Sequence, residues 1–315
     1  MDQCDPPGAR VLLISEDDVK RLLDLTELRA TMEEALRDLS AGRVTQPLRM
    51  LVPVTEHLGW FGLMPAIYRD VIGAKLVTVF PRNAAYGLHT HNAMIQLFQG
   101  DTGEPLAVLG GRLITALRTA AVSAIATREL SNANARVLAI LGSGVQAQTH
   151  YQALTLVRNF DEVRVWSRTP EHAARFAGEI GAKATSAEVA VCGADVVVTV
   201  TNSSEPVLRG AWLKQGAHVN AVGSVGVNAR EIDDEAMKNS AIVVESREPA
   251  LRESGEIVQS GVRIYAELGE LLNGSKPKPG EATTIYKSLG VAVEDVAAAT
   301  LVYEKVRRET RCCEV

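Results

Sequence analysis

The residues of this chain most plainly spaced for chemistry are Gly142-Ser143-Gly144-Val145-Gln146-Ala147, which close the apolar run 137–141. They form the pattern G-x-G-x-x-A. Gly142 permits a tight turn, and Gly144 lets a pyrophosphate approach the backbone. Ala147 keeps the following helix close to the strand, with the free N–H groups of the helix start, at Val145 and Gln146, facing the phosphates. A second strand-like stretch, EVRVWS over 162–167, follows at the distance of a βαβ unit, so the order strand, glycine turn, helix is intact. The chemistry such a loop serves is that of a bound dinucleotide.

The end of the second strand bears on which dinucleotide fits. An Asp or Glu there would accept hydrogen bonds from the adenosine ribose 2′-hydroxyl and repel a 2′-phosphate. This chain has Ser167-Arg168-Thr169 instead. A guanidinium beside two hydroxyls suits a phosphate, because Arg offers planar, charge-assisted donors. NADPH is therefore expected over NADH. Thr169 also reads as an N-cap with Pro170 at the first helical position, which is compatible with phosphate binding.

A chain of 315 residues can hold two domains with ample cores. Its hydrophobic content of 46% and formal charge of −5 are ordinary, so there is no electrostatic case for nucleic acid or an anionic membrane as partner. The first ten residues have neither the charged nor the apolar region of a secretory signal, and no apolar run approaches the roughly 20 residues that span a bilayer. Cys4, Cys192, Cys312 and Cys313 are too badly spaced for a disulfide framework or a metal site, and Cys192, in an apolar segment, reads as a small core residue. The C-terminal Cys312-Cys-Glu-Val has the length of a prenylation box but an acidic third residue, and reads as a frayed tail. A cytoplasmic protein is expected.

The elements that must position the glycine turn follow from period and punctuation. Ser15 caps a helix over 16–25, and 27–41 forms a second, with Leu28, Met32, Ala35, Leu36 and Leu39 at helical spacing and Gly42 as its stop. Short strands are predicted over 49–54, 60–64, 73–80, 93–99 and 105–109. A long alanine-rich helix covers 113–130, before a polar linker over 131–135. Beyond it come helices over 170–180 and from Ser186, and strands over 195–200, 218–222 and 242–245, within a doubly wound parallel sheet of six strands. The last stretch, 293–308, is again helical and is expected to return to the first domain. The fold class is α/β: an N-terminal substrate and dimerisation domain over 1–120, a Rossmann-type dinucleotide domain over 121–292, and the C-terminal helix over 293–315.

Several long segments carry a resemblance: QPLRMLVPV (46–54), GLMPA (62–66), AKLVT (74–78), ITALRTAAVSAIAT (114–127), LGSGVQA (141–147), VWSRT (165–169), ESGEI (253–257), AELGELLNG (266–274) and YKSLGVAVED (286–295). In the same order and over nearly the whole length, they resemble the ornithine cyclodeaminase/mu-crystallin family, in particular its mu-crystallin (ketimine reductase) branch. The resemblance implies an N-terminal domain that pairs with a second subunit, hence a homodimer, and catalysis in a cleft between that domain and the Rossmann domain.

The resemblance also implies roles for residues. Arg49, Lys75 and Arg118 match positions where the family grips a substrate α-carboxylate. Lys75 lies in an otherwise apolar strand and Arg118 in an alanine-rich helix, where an unpaired cation would be expensive. The alternative is that they reach solvent or pair with structural carboxylates. Thr90 resembles a position near the nicotinamide. Thr199, Thr201 and Val222 end Rossmann strands, and Ser288-Leu289 lie in the returning KSLG segment; all are expected beside the cofactor, with strand filler as the bland alternative for the threonines. Glu253 or Glu256 is expected to face the cleft.

Cyclodeaminases carry an acidic residue where this chain has Gly62, and an aspartate where it has Val225. Deamination of a free amine with ring closure needs a group to accept and return protons at nitrogen, so their absence argues against cyclodeamination. Reducing a preformed C=N bond asks less. The expected activity is NADPH-dependent reduction of cyclic imino acids such as Δ1-piperideine-2-carboxylate and Δ1-pyrroline-2-carboxylate, with hydride passing to C2 and Lys75 or His91 lending the proton. For His91 a backbone-bonded histidine at a strand end is the alternative. Two other functions stay open: NADPH-dependent binding of an iodothyronine, and an amino-acid dehydrogenase or ornithine/lysine cyclodeaminase.

Overall fold

The computed structural model describes residues 11–313. Cys4, the rest of the first ten residues and the side chains of Cys312 and Cys313 lie outside the described residues. The chain divides into two compact units: unit 1 holds the residues up to Ala35, Gly42–Arg118 and those from Val291 on, and unit 2 holds Leu36–Ala41 and Thr119–Gly290.

Unit 1 begins with β1 (Leu12–Ile14), α1 (Glu16–Leu22) and α2 (Leu25–Ser40), followed by β2 (Val44–Thr45), β3 (Met50–Val54), β4 (Gly59–Tyr68), β5 (Val71–Val79), β6 (His91–Gln99) and β7 (Pro105–Gly110), and it runs into α3 (Arg112–Leu130). Ser15 caps α1 in a full capping box with Asp18. The Glu16 carboxylate accepts from the backbone N–H groups of Arg112 and Leu113, and so satisfies orphan donors at the start of α3. The sheet order is β1-β7-β6-β5-β4-β2, with β3 also on β4. β1, three residues long, and β2, two residues long, are not foreseeable from the sequence, because pieces this short have no period to detect.

Unit 2 comprises β8 (Val137–Leu141), α4 (Val145–Thr155), β9 (Glu162–Trp166), α5 (Pro170–Ile180), β10 (Lys183–Ala184), α6 (Ala187–Val191), β11 (Val196–Thr199), β12 (His218–Ala221), α7 (Asp234–Lys238), β13 (Ala241–Val244), α8 (Arg247–Glu253), α9 (Gly255–Ser260), β14 (Ile264–Glu267), α10 (Leu268–Leu272) and β15 (Thr284–Lys287). The long α11 (Ala292–Cys313) follows, in unit 1. The sheet of unit 2 has eight strands rather than the six expected, in the order β10-β9-β8-β11-β12-β15-β13-β14, each pairing parallel. The unforeseen central strand is β15, which inserts between β12 and β13. Four residues ending in a lysine do not read as a buried strand, yet all four are buried. Strand order reverses at β8, whose neighbours are β9 and β11, and the carboxyl ends of β8 and β11 therefore flank the switch point where such sheets take ligands.

Two local expectations change. Cys192 is exposed, not a core residue, because it is the C-cap of the short α6 and turns outward while Ala190 and Val191 fill the core. Thr169 occupies the N-cap of α5 with Pro170 at the first position, but its side chain makes no capping hydrogen bond. Among the described residues, no helix is long and apolar enough to cross a membrane.

Candidate active site

The glycine turn lies at the switch point. β8 ends in fully buried Ile140 and Leu141, and Gly142 follows at φ +136°, a conformation that only glycine adopts freely. A Cβ there would lie 2.7 Å from Val200 Cγ2 and O, so the turn is pressed against the segment leaving β11. The Gly142 N–H donates to Trp166 O at 2.8 Å, and Ser143 Oγ donates to Ser167 Oγ at 2.9 Å, which ties the turn to the end of β9. Gly144 is the N-cap of α4 without a side-chain cap, and an added Cβ would meet nothing within 4 Å. Val145 is exposed, Ala147 is fully buried, and the Gln146 Oε1 is buried with no hydrogen-bond partner among the described residues. Arg168 is exposed beside Ser167 and Thr169. An open glycine, an uncapped helix start, an acceptor awaiting a donor and a free-facing guanidinium fit a dinucleotide's pyrophosphate and adenosine end.

Thr199, Thr201, Ser288 and Leu289 are held by two buried carboxylates, Glu231 and Glu245, that the sequence does not single out. Thr199 is fully buried and donates through Oγ1 to Glu231 Oε2 at 2.8 Å; Thr201 donates to Glu231 Oε1 through its N–H at 2.6 Å and its hydroxyl at 2.7 Å. Val222, just past β12, donates its N–H to Thr199 O at 2.9 Å. Glu245 accepts from Tyr286 Oη at 2.8 Å, from Ser288 Oγ at 2.9 Å and from the Leu289 N–H at 3.1 Å. Lys287 and Glu256 form a buried pair at 3.3 Å, with the ammonium also donating to Ser224 O at 2.6 Å. A glutamate closing the apolar IVVE and a lysine inside TIYKSLG were the available signals. An isolated charge at a strand end has to find a partner.

In unit 1 the register places the other site residues together. Lys75 on β5 stands opposite Met64 on β4 and Ile95 on β6, while Val77 stands opposite Gly62 and Ala93, and Val79 opposite His91. Directly paired residues share a face, so Gly62, Lys75 and His91 lie on one side of the sheet. Leu51 pairs with Gly62, which gives Arg49, just before β3, the same parity. α11 packs over β4, β5 and β6, and approaches β5 so closely that a Cβ on Gly73 would lie 2.7 Å from Val296 Cγ2. A Cβ at Gly62 would lie 2.9 Å from Val77 Cγ1, so the place of the cyclodeaminase carboxylate is filled here by its strand neighbour. Val225, at the other such place, is exposed. Thr90 directly precedes β6, and its carbonyl accepts from the Phe80 N–H at 2.8 Å.

The two buried cations of this face are paired within the protein. Lys75 Nζ lies 2.6 Å from Asp295 Oδ2, Arg118 Nε 3.0 Å from Asp295 Oδ1, and Arg118 Nη1 2.6 Å from Glu294 Oε2, with all four side chains almost wholly buried. One carboxylate thus bridges lysine and arginine. Burial pushes Lys75 down to about 8; Asp295 opposes that fall, while Arg118 and Arg49 add to it. For Asp295, burial alone would raise the carboxyl, but Arg118 and Lys75 outweigh it and hold it below its ordinary value. His91 is pushed down to about 4, first by burial and then by Lys75 and Arg118, so it is neutral at pH 7. Arg49 also lies within electrostatic range of Lys75.

A glycine turn at the switch point of a doubly wound parallel sheet defines a Rossmann-type dinucleotide-binding fold. The chain belongs to the ornithine cyclodeaminase/mu-crystallin family, whose profile matches residues 10–310. It is 47% identical to the ketimine reductase mu-crystallin of Rattus norvegicus over 92% of this chain and 96% of that one. A solved structure of the Thermococcus litoralis Δ1-pyrroline-2-carboxylate reductase, in complex with NADH and L-proline, superposes with a TM-score of 0.91 at 36% identity, covering 95% of this chain and 98% of that one. An archaeal alanine dehydrogenase dimer with bound NAD gives 0.90 at 31% identity, covering 95% and 97%.

Proposed function

We propose that this chain reduces the C=N bond of cyclic imino acids, Δ1-piperideine-2-carboxylate and Δ1-pyrroline-2-carboxylate among them, with NADPH as the hydride donor. The observation that carries the reading is the buried Lys75 ammonium, 2.6 Å from Asp295, which also holds Arg118, with burial pushing the lysine down to about 8. Arg118 and Arg49 bind and orient the substrate carboxylate. Lys75 gives a proton from Nζ to the imine nitrogen, which makes C2 electrophilic, and recovers it from solvent after the ring becomes a saturated amine. A bound reduced nicotinamide supplies the hydride that C2 accepts. His91, held neutral, cannot give that proton at pH 7 and is assigned to shaping the pocket. The crowded Gly62 and the apolar Val225 support reduction over cyclodeamination.

NADPH is preferred because exposed Arg168, between Ser167 and Thr169, would hold the adenosine 2′-phosphate where an acidic residue would repel it. The opposite face of the unit 1 sheet exposes Met50, Val52, Phe61, Ile67 and Met94. That apolar surface is covered by a second copy, so the working form is a homodimer. The same cationic cluster would take the carboxylate of an iodothyronine, and such a ligand then competes with the imino acid. The test is NADPH consumption with Δ1-piperideine-2-carboxylate, with NADH as control. Turnover favouring NADPH is expected; no turnover with either cyclic ketimine refutes the reading.

A further inference from the structure

Glu231 is fully buried, on no named element, and accepts four hydrogen bonds through one carboxylate. Oε1 takes the N–H and hydroxyl of Thr201; Oε2 takes the Thr199 hydroxyl and, at 2.8 Å, the N–H of Gly223. Its own backbone is fixed as well: the N–H donates to Glu256 Oε1 at 3.0 Å, and the carbonyl accepts from Val207 and Leu208. Between the two threonines it grips lies Val200, the residue against which Gly142 is pressed. Gly223, which it also grips, follows the end of β12, and a Cβ there would lie 2.1 Å from Thr201 O, so both turns are closely stacked on each other. Glu231 therefore clamps together the turns that follow β11 and β12, the first of which borders the switch point of the sheet.

We infer that Glu231 is a positioning residue for the dinucleotide: it holds Thr199-Val200-Thr201 as the wall that sets the glycine turn at Gly142 in the shape that receives the pyrophosphate. The inference rests on the glycine turn being the coenzyme site. The carboxylate is needed as such, because two backbone N–H groups, Thr201 and Gly223, point at its two different oxygens. A glutamine keeps one acceptor and turns an NH2 toward the other N–H, which cannot reverse its role.

The test is coenzyme affinity, measured without imino acid by quenching of protein fluorescence, for the parent chain, Glu231→Gln and Glu231→Asp. The thermal transition of the coenzyme-free proteins is followed alongside. The expected result is about a tenfold rise in Kd for Glu231→Gln. The rise is the same for NADPH and NADH, since the clamp acts on the pyrophosphate turn common to both. With saturating coenzyme, kcat stays within about threefold of the parent, so the loss appears in KM for coenzyme. Variants that bind coenzyme as the parent does overturn the inference, as does failure of both to fold, which would assign the carboxylate to the fold alone. A parent chain that binds no dinucleotide would instead sink the coenzyme site on which the inference rests.

Discussion

Replacing Asp295 by Asn separates the charge of the cationic cluster from its shape. In the parent, Asp295 Oδ2 lies 2.6 Å from Lys75 Nζ and opposes the burial that has brought this lysine down to about 8. An opposite charge at such range is worth about 1–3 pH units. Its removal takes the lysine to roughly 6, so the fraction carrying a proton at pH 7 falls from about nine-tenths to about one-tenth. With the ammonium as the proposed proton donor, activity falls as pH rises through its pKa. The basic limb of kcat/KM should therefore move down by about 2 units, with about a tenfold loss at pH 7 that shrinks on acidification. Breaking a buried pair also costs about 3–5 kcal/mol of stability, so thermal melts must show the variant folded at the assay temperature. A pH–rate profile of variant against parent decides the matter. An unmoved basic limb, or a loss equal at every pH, would refute Lys75 as the donor.

Further outcomes follow from single contacts. Gly142→Ala forces φ +136° on a residue with a Cβ and drives it against Val200, so coenzyme binding and stability should both fall in titration and melting experiments. Gly144→Ala, at φ −91° with open space around it, should leave the coenzyme-free melt unchanged and weaken only the coenzyme. Arg168→Ala should raise KM for NADPH by about 10–100-fold, the worth of one charged hydrogen bond, and leave KM for NADH nearly as it was. His91 and His150, pushed down to about 4, and His218, down to about 3, all chiefly by burial, regain their ordinary value of 6.5 when the chain unfolds. The unfolded chain then binds more protons between about pH 4 and 6.5, so stability is full above that window and is lost as pH falls through it. Denaturant midpoints measured across the window would show it; flat midpoints would contradict the burial of these rings.

What could be read from the sequence was whatever depends on neighbours along the chain. Gly142, Gly144 and Ala147 are small for reasons that act within one strand-to-helix turn, and alternation along β5 already marks Lys75 as out of place. The partners of that lysine were not legible: Asp295 sits in AVED, where an acidic pair at a helix start reads as complementing the helix dipole. Only the packing of α11 on the sheet turns it toward Lys75 and Arg118. β15 was missed for the same reason, since Lys287 argues against a buried strand until Glu256 and Ser224 are found beside it. The threonines at the end of β11 stand out by position, but the carboxylate that employs them comes from a loop 30 and 32 residues away in sequence.

The most direct measurement follows the hydride itself. With NADPH deuterated at nicotinamide C4 on the transferred face and Δ1-piperideine-2-carboxylate as acceptor, the cyclic amino acid formed should carry one deuterium, at C2, as read by mass spectrometry and NMR. Consumption of coenzyme with no deuterium at that carbon, or with deuterium at another, would contradict reduction of the C=N bond by this chain.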